Sequence, residues 1–371
     1  MRNVFFFVKN SLIRPITLDL LLPITLALFL SPINPLFSAS TGFFWLVIQL
    51  LSSPNNQRWA LWPLLFLLLL MSRTWLLNES SSVVSSNDFL LIIIAMLAAS
   101  SIPQERWTRL IKLILMSLPI IGLNLGHKPW QPNPSVGVNE GAYLLGLFLV
   151  LALCWLNSTP NKRERLLAGL TSFLATILVW QAGSRAALLA SSAAILIVIS
   201  QNRSGSLMEF FKRLLLPISG LISTIILLST ISNRNFISDL GRLQIFKCYA
   251  SIPLSGNNRA LYGIGFFHKS SFCQNPVSSG MLSHAHNLYL QLWANTGLLG
   301  LLSIAIFAVY LWIIWRSANL PPILKQVGLS VLVYLLLINC FDVSLFHWPV
   351  TQIFTGIFLA IPMSRISSTV D

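Results

Sequence analysis

Trp62-Pro63-Leu64-Leu65-Phe66-Leu67-Leu68-Leu69-Leu70 and Ala193-Ala194-Ile195-Leu196-Ile197-Val198-Ile199-Ser200 are apolar on every side. A helix lying against water would carry an apolar stripe every three to four residues, and a half-buried strand would alternate. Neither pattern is present, so these segments have no face meant for water. The rest of the chain agrees, with 55% hydrophobic and only 9% charged residues in 371, against about 25% charged in an ordinary soluble domain. Leu, Ile and Phe running from end to end exclude fibrous and disordered classes. In hydrocarbon every backbone polar group needs a partner within the protein, which leaves helices or a closed barrel. A barrel would show ~10-residue segments of alternating polarity. The runs here do not alternate, so the expectation is an all-α, polytopic integral membrane protein.

A helix crossing the bilayer needs about 20 residues. Spans are expected near 16–31, 36–52, 60–77, 88–102, 108–125, 140–157, 166–183, 185–201, 213–231, 287–315, 323–341 and 348–364, about twelve transmembrane helices in a single domain over 1–371. The Phe-rich start is read as leading into the first span rather than as a cleaved signal, because no small-x-small site follows its apolar run. The net charge of +14 raises a nucleic-acid reading. Most of the bases, however, sit in alternate short gaps: Arg2, Lys9 and Arg14; Arg58; Arg106, Arg109 and Lys112; Lys162, Arg163 and Arg165; Arg203, Lys212 and Arg213; Arg316 and Lys325; Arg365. That is a topology signal and calls for no nucleic acid. The positive-inside rule puts these gaps and both termini in the cytoplasm.

The opposite side then holds one long loop, about 232–285. It carries Arg234, Arg242, Lys247, Arg259 and Lys269 against a single acid, Asp239. Long loops cross regardless of charge, so this cluster needs another reason. An anionic ligand and a bed of anionic membrane lipid headgroups both supply one. Leu243, Phe246, Tyr249 and Ala250 recur at helical spacing, which predicts a surface-lying amphipathic helix over Gly241–Ser251. Cys248 and Cys273 also fall in the loop; an oxidising exterior permits a bridge between them, though spacing alone does not decide it.

After the loop comes His284-Ala285-His286-Asn287, then Leu288–Thr296, then Gly297-Leu298-Leu299-Gly300. Histidine moves protons near neutral pH. Asn287 is suited to fixing the ring or binding a sugar hydroxyl, and Gly297 with Gly300 offers a smooth face for a close helix. A histidine at a membrane boundary is also an ordinary interfacial residue. Arg185 stands between two apolar spans, where a charge is costly unless it works; the alternative is a side chain snorkelling to the interface.

Taken with Gly183-Ser184-Arg185-Ala186-Ala187, Gly241-Arg242-Leu243-Gln244-Ile245-Phe246, Pro253-Leu254, Gly263-Ile264-Gly265-Phe266 and Asp342, the segment over roughly 130–350 resembles the O-antigen ligase/polymerase superfamily. These are membrane glycosyltransferases that use polyprenyl-diphosphate-linked glycans. One departure stands out: Ser255–Tyr262, with Arg259, intervenes where the family joins Pro-Leu to Gly-x-Gly more directly.

The resemblance implies transfer of a glycan from a polyprenyl-diphosphate donor to an acceptor hydroxyl on a glycan or lipid-anchored acceptor. The reaction would run at the outer face of the cytoplasmic membrane, in surface polysaccharide assembly. His286, which directly precedes Asn287, would be the base, with His284 beside it. Arg185 and Arg242 would bind the diphosphate, as guanidinium suits phosphate better than ammonium does. Asn287, Arg259 and Asp342 complete the expected substrate site, and neither a metal nor another cofactor is called for. Two other readings stand: a membrane solute transporter of the inorganic-carbon kind related to the same superfamily, and a non-catalytic scaffold in envelope assembly.

Overall fold

The computed structural model describes residues 20–21, 24–25, 35–52, 86–100, 102–119, 138–182, 184–201, 237–256, 259–264, 273, 285–317, 320–341 and 349–363. Among these there is no β-strand. The helices are α1 (Pro35–Ser52), α2 (Ser86–Ser100), α3 (Gln104–Met116), α4 (Val138–Ser158), α5 (Lys162–Gln181), α6 (Arg185–Gln201), α7 (Ile237–Ser251), α8 (Arg259–Tyr262), α9 (Leu288–Ser317), α10 (Pro322–Ile338) and α11 (Pro349–Leu359), with 3-10 turns at Ile252–Ser255 and Ile361–Met363. Among the described residues two helices are long and apolar enough to cross a membrane, Gly141–Ser158 and Leu288–Trp315; the apolar helices Ala39–Ile48, Leu91–Ser100, Arg185–Leu196, Pro322–Ile338 and Pro349–Leu359 are shorter. The expected spans 60–77 and 213–231, and most of 16–31, lie outside the described residues.

Small residues and aromatics decide the packing. A Cβ on Gly356 of α11 would meet the Ile92 carbonyl oxygen at 2.5 Å and the Ala95 Cβ at 2.6 Å on α2. Glycine facing alanine lets the two backbones approach closely, the contact that stands in for hydrophobic force in an apolar medium. At the bundle centre Gly146 of α4 lies against the Tyr334 hydroxyl of α10 and the Ser191 hydroxyl of α6. The Tyr334 hydroxyl donates to the Tyr143 carbonyl at 2.6 Å, and Ser191 donates to the Gly146 carbonyl at 3.2 Å. Phe148 and Phe354 meet edge to face at 5.8 Å between centroids, the favoured aromatic geometry.

The same contacts orient the helices. Tyr143 meets Tyr334 near one end of α4, while Ser158 at its other end donates to the Gln326 side chain at 2.9 Å. So α4 and α10 run antiparallel. At the Ser158 end, Lys112 of α3 pairs with Glu164 of α5 at 2.7 Å, and the Glu164 oxygen also accepts from Thr159 at 2.9 Å. Asn161 caps α5 by accepting from the Arg163 N–H at 3.0 Å, and Glu164 sits in the first turn, where the helix dipole favours an anion. The gaps carrying Lys112 and Lys162–Arg165 therefore meet at one end of the bundle, along with the start of α10 and its Lys325.

The core is apolar, yet large apolar side chains also stand on the outer surface and some polar ones lie inside. Leu166, Leu170 and Phe173 on α5, and Leu298, Leu302, Ile306, Val309 and Ile313 on α9, are exposed. Ser191, Thr351, Gln352 and Thr355 are buried. Contiguous apolar stripes of this length are not left bare in water.

The expected span 287–315 is not a straight rod. Gly297 has φ 63° and ψ −156°, a break inside α9. A straight helix would separate Leu288 from Trp315 by about 40 Å. Yet the Leu288 N–H donates to the Asn339 carbonyl at 2.8 Å, and the Trp315 ring lies on Gly328. Those two positions on α10 are only about 17 Å apart along the helix axis. Bending at Gly297, with tilt, absorbs the difference.

Candidate functional site

The loop elements form a small second core together with α9, made of Ile245, Tyr249, Ile252, Cys273 and Ala285 with Ala294 of α9. A disulfide joins Cys248 of α7 to Cys273, with the Cα atoms 5.9 Å apart. Trp293 of α9 donates its indole N–H to the Ala250 carbonyl at 3.0 Å. With these ties in place Gly241, Ile245 and Tyr249 of α7 face inward, followed by Ile252 of the 3-10 turn. A helix is present over the expected Gly241–Ser251, and of its expected apolar face Tyr249 is buried and Phe246 and Ala250 are half-buried, but Leu243 is corrected: it is exposed. The window holds apolar residues on two sides, and the disulfide, the indole bond and packing against Ala285 and Ala294 favour the side that turns in.

Arg242 stands on the exposed face of α7, next to the buried Gly241. Arg259, also exposed, opens α8, with its stem against Gly256. Of the stretch Ser255–Tyr262, Ser255 closes the 3-10 turn begun at Ile252, and Arg259–Tyr262 is the single helical turn α8, which leads the chain into the break of α9. There the Ile264 N–H donates to the Ala294 carbonyl at 2.9 Å. A Cβ on Gly263 would strike the Asn295 carbonyl and the Thr296 N, and one on Gly297 would strike the Leu261 carbonyl. The close approach expected at Gly297 therefore exists, but its partner is loop backbone rather than a second membrane helix. Gly300 faces Thr296 of its own helix.

Asn287 is the cap of α9. Its side-chain oxygen accepts from the Leu290 N–H at 2.9 Å, and its amide donates to the Cys340 carbonyl at 2.7 Å. The Asn287 amide keeps one further N–H and one oxygen lone pair beyond these two bonds. His286, half-buried, precedes the cap with φ 50°, a positive value for a residue that is not glycine. Such a conformation costs of order 1–3 kcal/mol and persists only where neighbours hold it. Gln291, absent from the sequence expectations, is one of those neighbours: its side-chain oxygen accepts from the Ala285 N–H at 2.8 Å. The signal that would have found it is the four-residue spacing of Asn287, Gln291 and Asn295.

Arg185 is the first residue of α6, half-buried, behind Ser184, whose hydroxyl accepts from the Ala187 N–H at 3.3 Å. A cation at a helix N-terminus has the wrong sign for the dipole. It lies six residues before Ser191, about 9 Å of helix rise from the central contact. Asn339 lies five residues beyond Tyr334, about 7.5 Å. Glu164 bonds to Thr159 and Gly169 lies against Leu156, so α5 runs antiparallel to α4; α6 begins at Arg185, soon after α5 ends at Gln181, at the end where α4 starts, and both displacements point the same way. Arg185, Asn287 and His286 are thus brought to one end of the bundle, opposite Lys112 and Glu164. Arg242 and Arg259 ride on elements packed against the first half of α9. His284 and Asp342 lie outside the described residues.

No family model matches this chain, and no curated protein is similar enough to match it.

Proposed function

We propose that this protein is a membrane glycosyltransferase of the O-antigen ligase/polymerase type. It moves a glycan from a polyprenyl-diphosphate carrier to an acceptor hydroxyl at the outer face of the cytoplasmic membrane. The observation that carries the reading is the shared position of Arg185 and His286 at one end of the bundle, beneath a basic, disulfide-tied loop. In this reading the exposed stripes of α5 and α9 face lipid. About twelve spans cross the membrane, and the Lys112–Glu164 end faces the cytoplasm with both termini.

The step balances without a co-reactant. The acceptor oxygen forms a bond to the anomeric carbon while the bond from that carbon to the diphosphate oxygen breaks. The diphosphate leaves with the electron pair. His286 takes the acceptor's proton. Arg185 and Arg242 meet the negative charge that grows on the leaving group, and Arg185 at a helix N-terminus adds backbone N–H groups of the same sign. Arg259, His284 and Asp342 remain proposed substrate contacts. Asn287 sets the chain direction at His286 and keeps hydrogen-bonding capacity for a sugar.

The transporter reading has one observation in its favour, the broken helix α9, since discontinuous helices build solute sites in transporters. Here, however, loop backbone fills the break, and the freed Ala294 carbonyl bonds to Ile264. That favours glycosyl transfer. The deciding experiment is deletion in the host followed by gels of surface polysaccharide and of carrier-linked chains. Full-length carrier-linked chains with none on the final acceptor mark a ligase; single-repeat products mark a polymerase; an unchanged ladder rejects both.

A further inference from the structure

We infer that Gln291 is a positioning residue for His286, acting through the backbone N–H of Ala285. The inference rests on the glycosyl-transfer reading of the same site.

His286 is held in its left-handed conformation from both sides. After it, Asn287 is locked by Leu290 and Cys340. Before it, the Ala285 N–H, on a fully buried residue, donates to the Gln291 oxygen at 2.8 Å. That bond decides which way round the Gln291 amide lies, because only its oxygen accepts. Its nitrogen must then donate, and it meets the Asn295 side-chain oxygen at 3.2 Å. Asn295 is 4% exposed and stands at the break, where Gly263 presses on its backbone. The chain of contact runs from the loop turn at Gly263 through Asn295 and Gln291 to Ala285, and so to the base. Residues 287, 291 and 295 share one face of α9 by helix geometry, so one helical face holds both the cap and this brace. Loss of the oxygen at 291 frees the Ala285 N–H and lets His286 turn away from the acceptor hydroxyl. Donor binding by the arginines is untouched.

The test uses full-length protein in nanodiscs, with lipid-linked glycan extracted from the host's membranes as donor and the host's acceptor fraction. Gln291→Leu, Gln291→Glu and His286→Ala are compared. Misplacing a base by about 1 Å costs roughly 100-fold, so Gln291→Leu should lower kcat on that order and leave the donor KM nearly unchanged. Gln291→Glu still accepts from Ala285, and Asn295 can turn its amide to donate, so turnover should largely return. The Cys248–Cys273 bridge, read by mobility on a non-reducing gel, reports the folded loop. Should Gln291→Leu fail to fold, Gln291→Glu decides alone: near-normal kcat supports the brace, and a dead but folded Gln291→Glu overturns it. Full kcat in Gln291→Leu beside a dead His286→Ala also overturns it. An active His286→Ala removes the glycosyl-transfer base itself, and the brace with it.

Discussion

Gly263 and Gly297 meet backbone to backbone, both at positive φ, 70° and 63°, with the loop turn seated in the break of the long helix α9. Neither position has room for a Cβ: the atoms in the way are the main chain of Asn295 and Thr296 on one side and of Leu261 and Gly263 on the other. The loop turn and the long helix α9 are therefore one mechanical unit at this point.

Gly297→Ala and Gly263→Ala should each destabilise the protein by about 3 kcal/mol, from left-handed strain plus backbone overlap. Gly300 has no positive φ, and the nearest atoms its added Cβ would meet belong to the Thr296 side chain rather than to backbone, so Gly300→Ala should cost less. The fraction of monodisperse protein surviving a heat series ranks the three; equal survival would contradict the packing described.

Arg185→Ala and His286→Ala should each abolish glycan transfer while the protein inserts and forms its disulfide normally. Arg185→Lys should recover only part of the activity, because a point charge does not reproduce the bidentate guanidinium contact. Full transfer by Arg185→Ala would remove the diphosphate role assigned to this residue.

Reduction of Cys248–Cys273, or Cys273→Ser, should free α7 from the rest of the loop. A bridge closing a loop of this size contributes about 3 kcal/mol to the order of the segment it closes. Faster protease cleavage within 237–264, with the helices of the bundle still resistant, is the expected readout.

The Lys112 hydrogen bond, and then that of Thr159, holds the Glu164 carboxyl below the usual range. A lowered folded pKa means the link stabilises the fold at neutral pH and is lost as the pH falls through that lowered value. With side chains 29% and 39% exposed, the contribution is under about 1 kcal/mol. Thermal stability of the wild type should drop slightly more than that of Lys112→Ala between neutral and acid pH. Parallel curves would deny the pair any role.

Much of the fold was legible because its causes are local. Apolar runs without a period announced helices, and α1, α4, α6 and α10 begin and end within a few residues of the expected spans. The break in α9 was hidden. A glycine in an apolar run reads the same whether it lines a straight helix or ends one, and only the arriving turn at 261–264 makes the difference. Gln291 was hidden for a related reason: its partner Ala285 lies outside the helix, in a chain direction that no pattern of side chains encodes. On α7 the expected Tyr249 does turn in, but Leu243 does not and Ile245 takes its place, because two apolar sides compete in that window and contacts from Trp293 and Cys273, elsewhere in the chain, help choose between them.

By itself, then, the sequence determined that this chain is helical, that its long helices suit an apolar medium, and that bases gather in alternate gaps and in one loop. Those properties follow from composition and period, which act residue by residue. The tertiary structure alone decided that Arg185 and His286 stand at the same end of the bundle, that a loop turn fills the break at Gly297, and that Gln291 braces the residue before His286. Each depends on a contact between segments distant in sequence or on a side chain reaching back past its own helix, and such contacts exist only once the helices are packed.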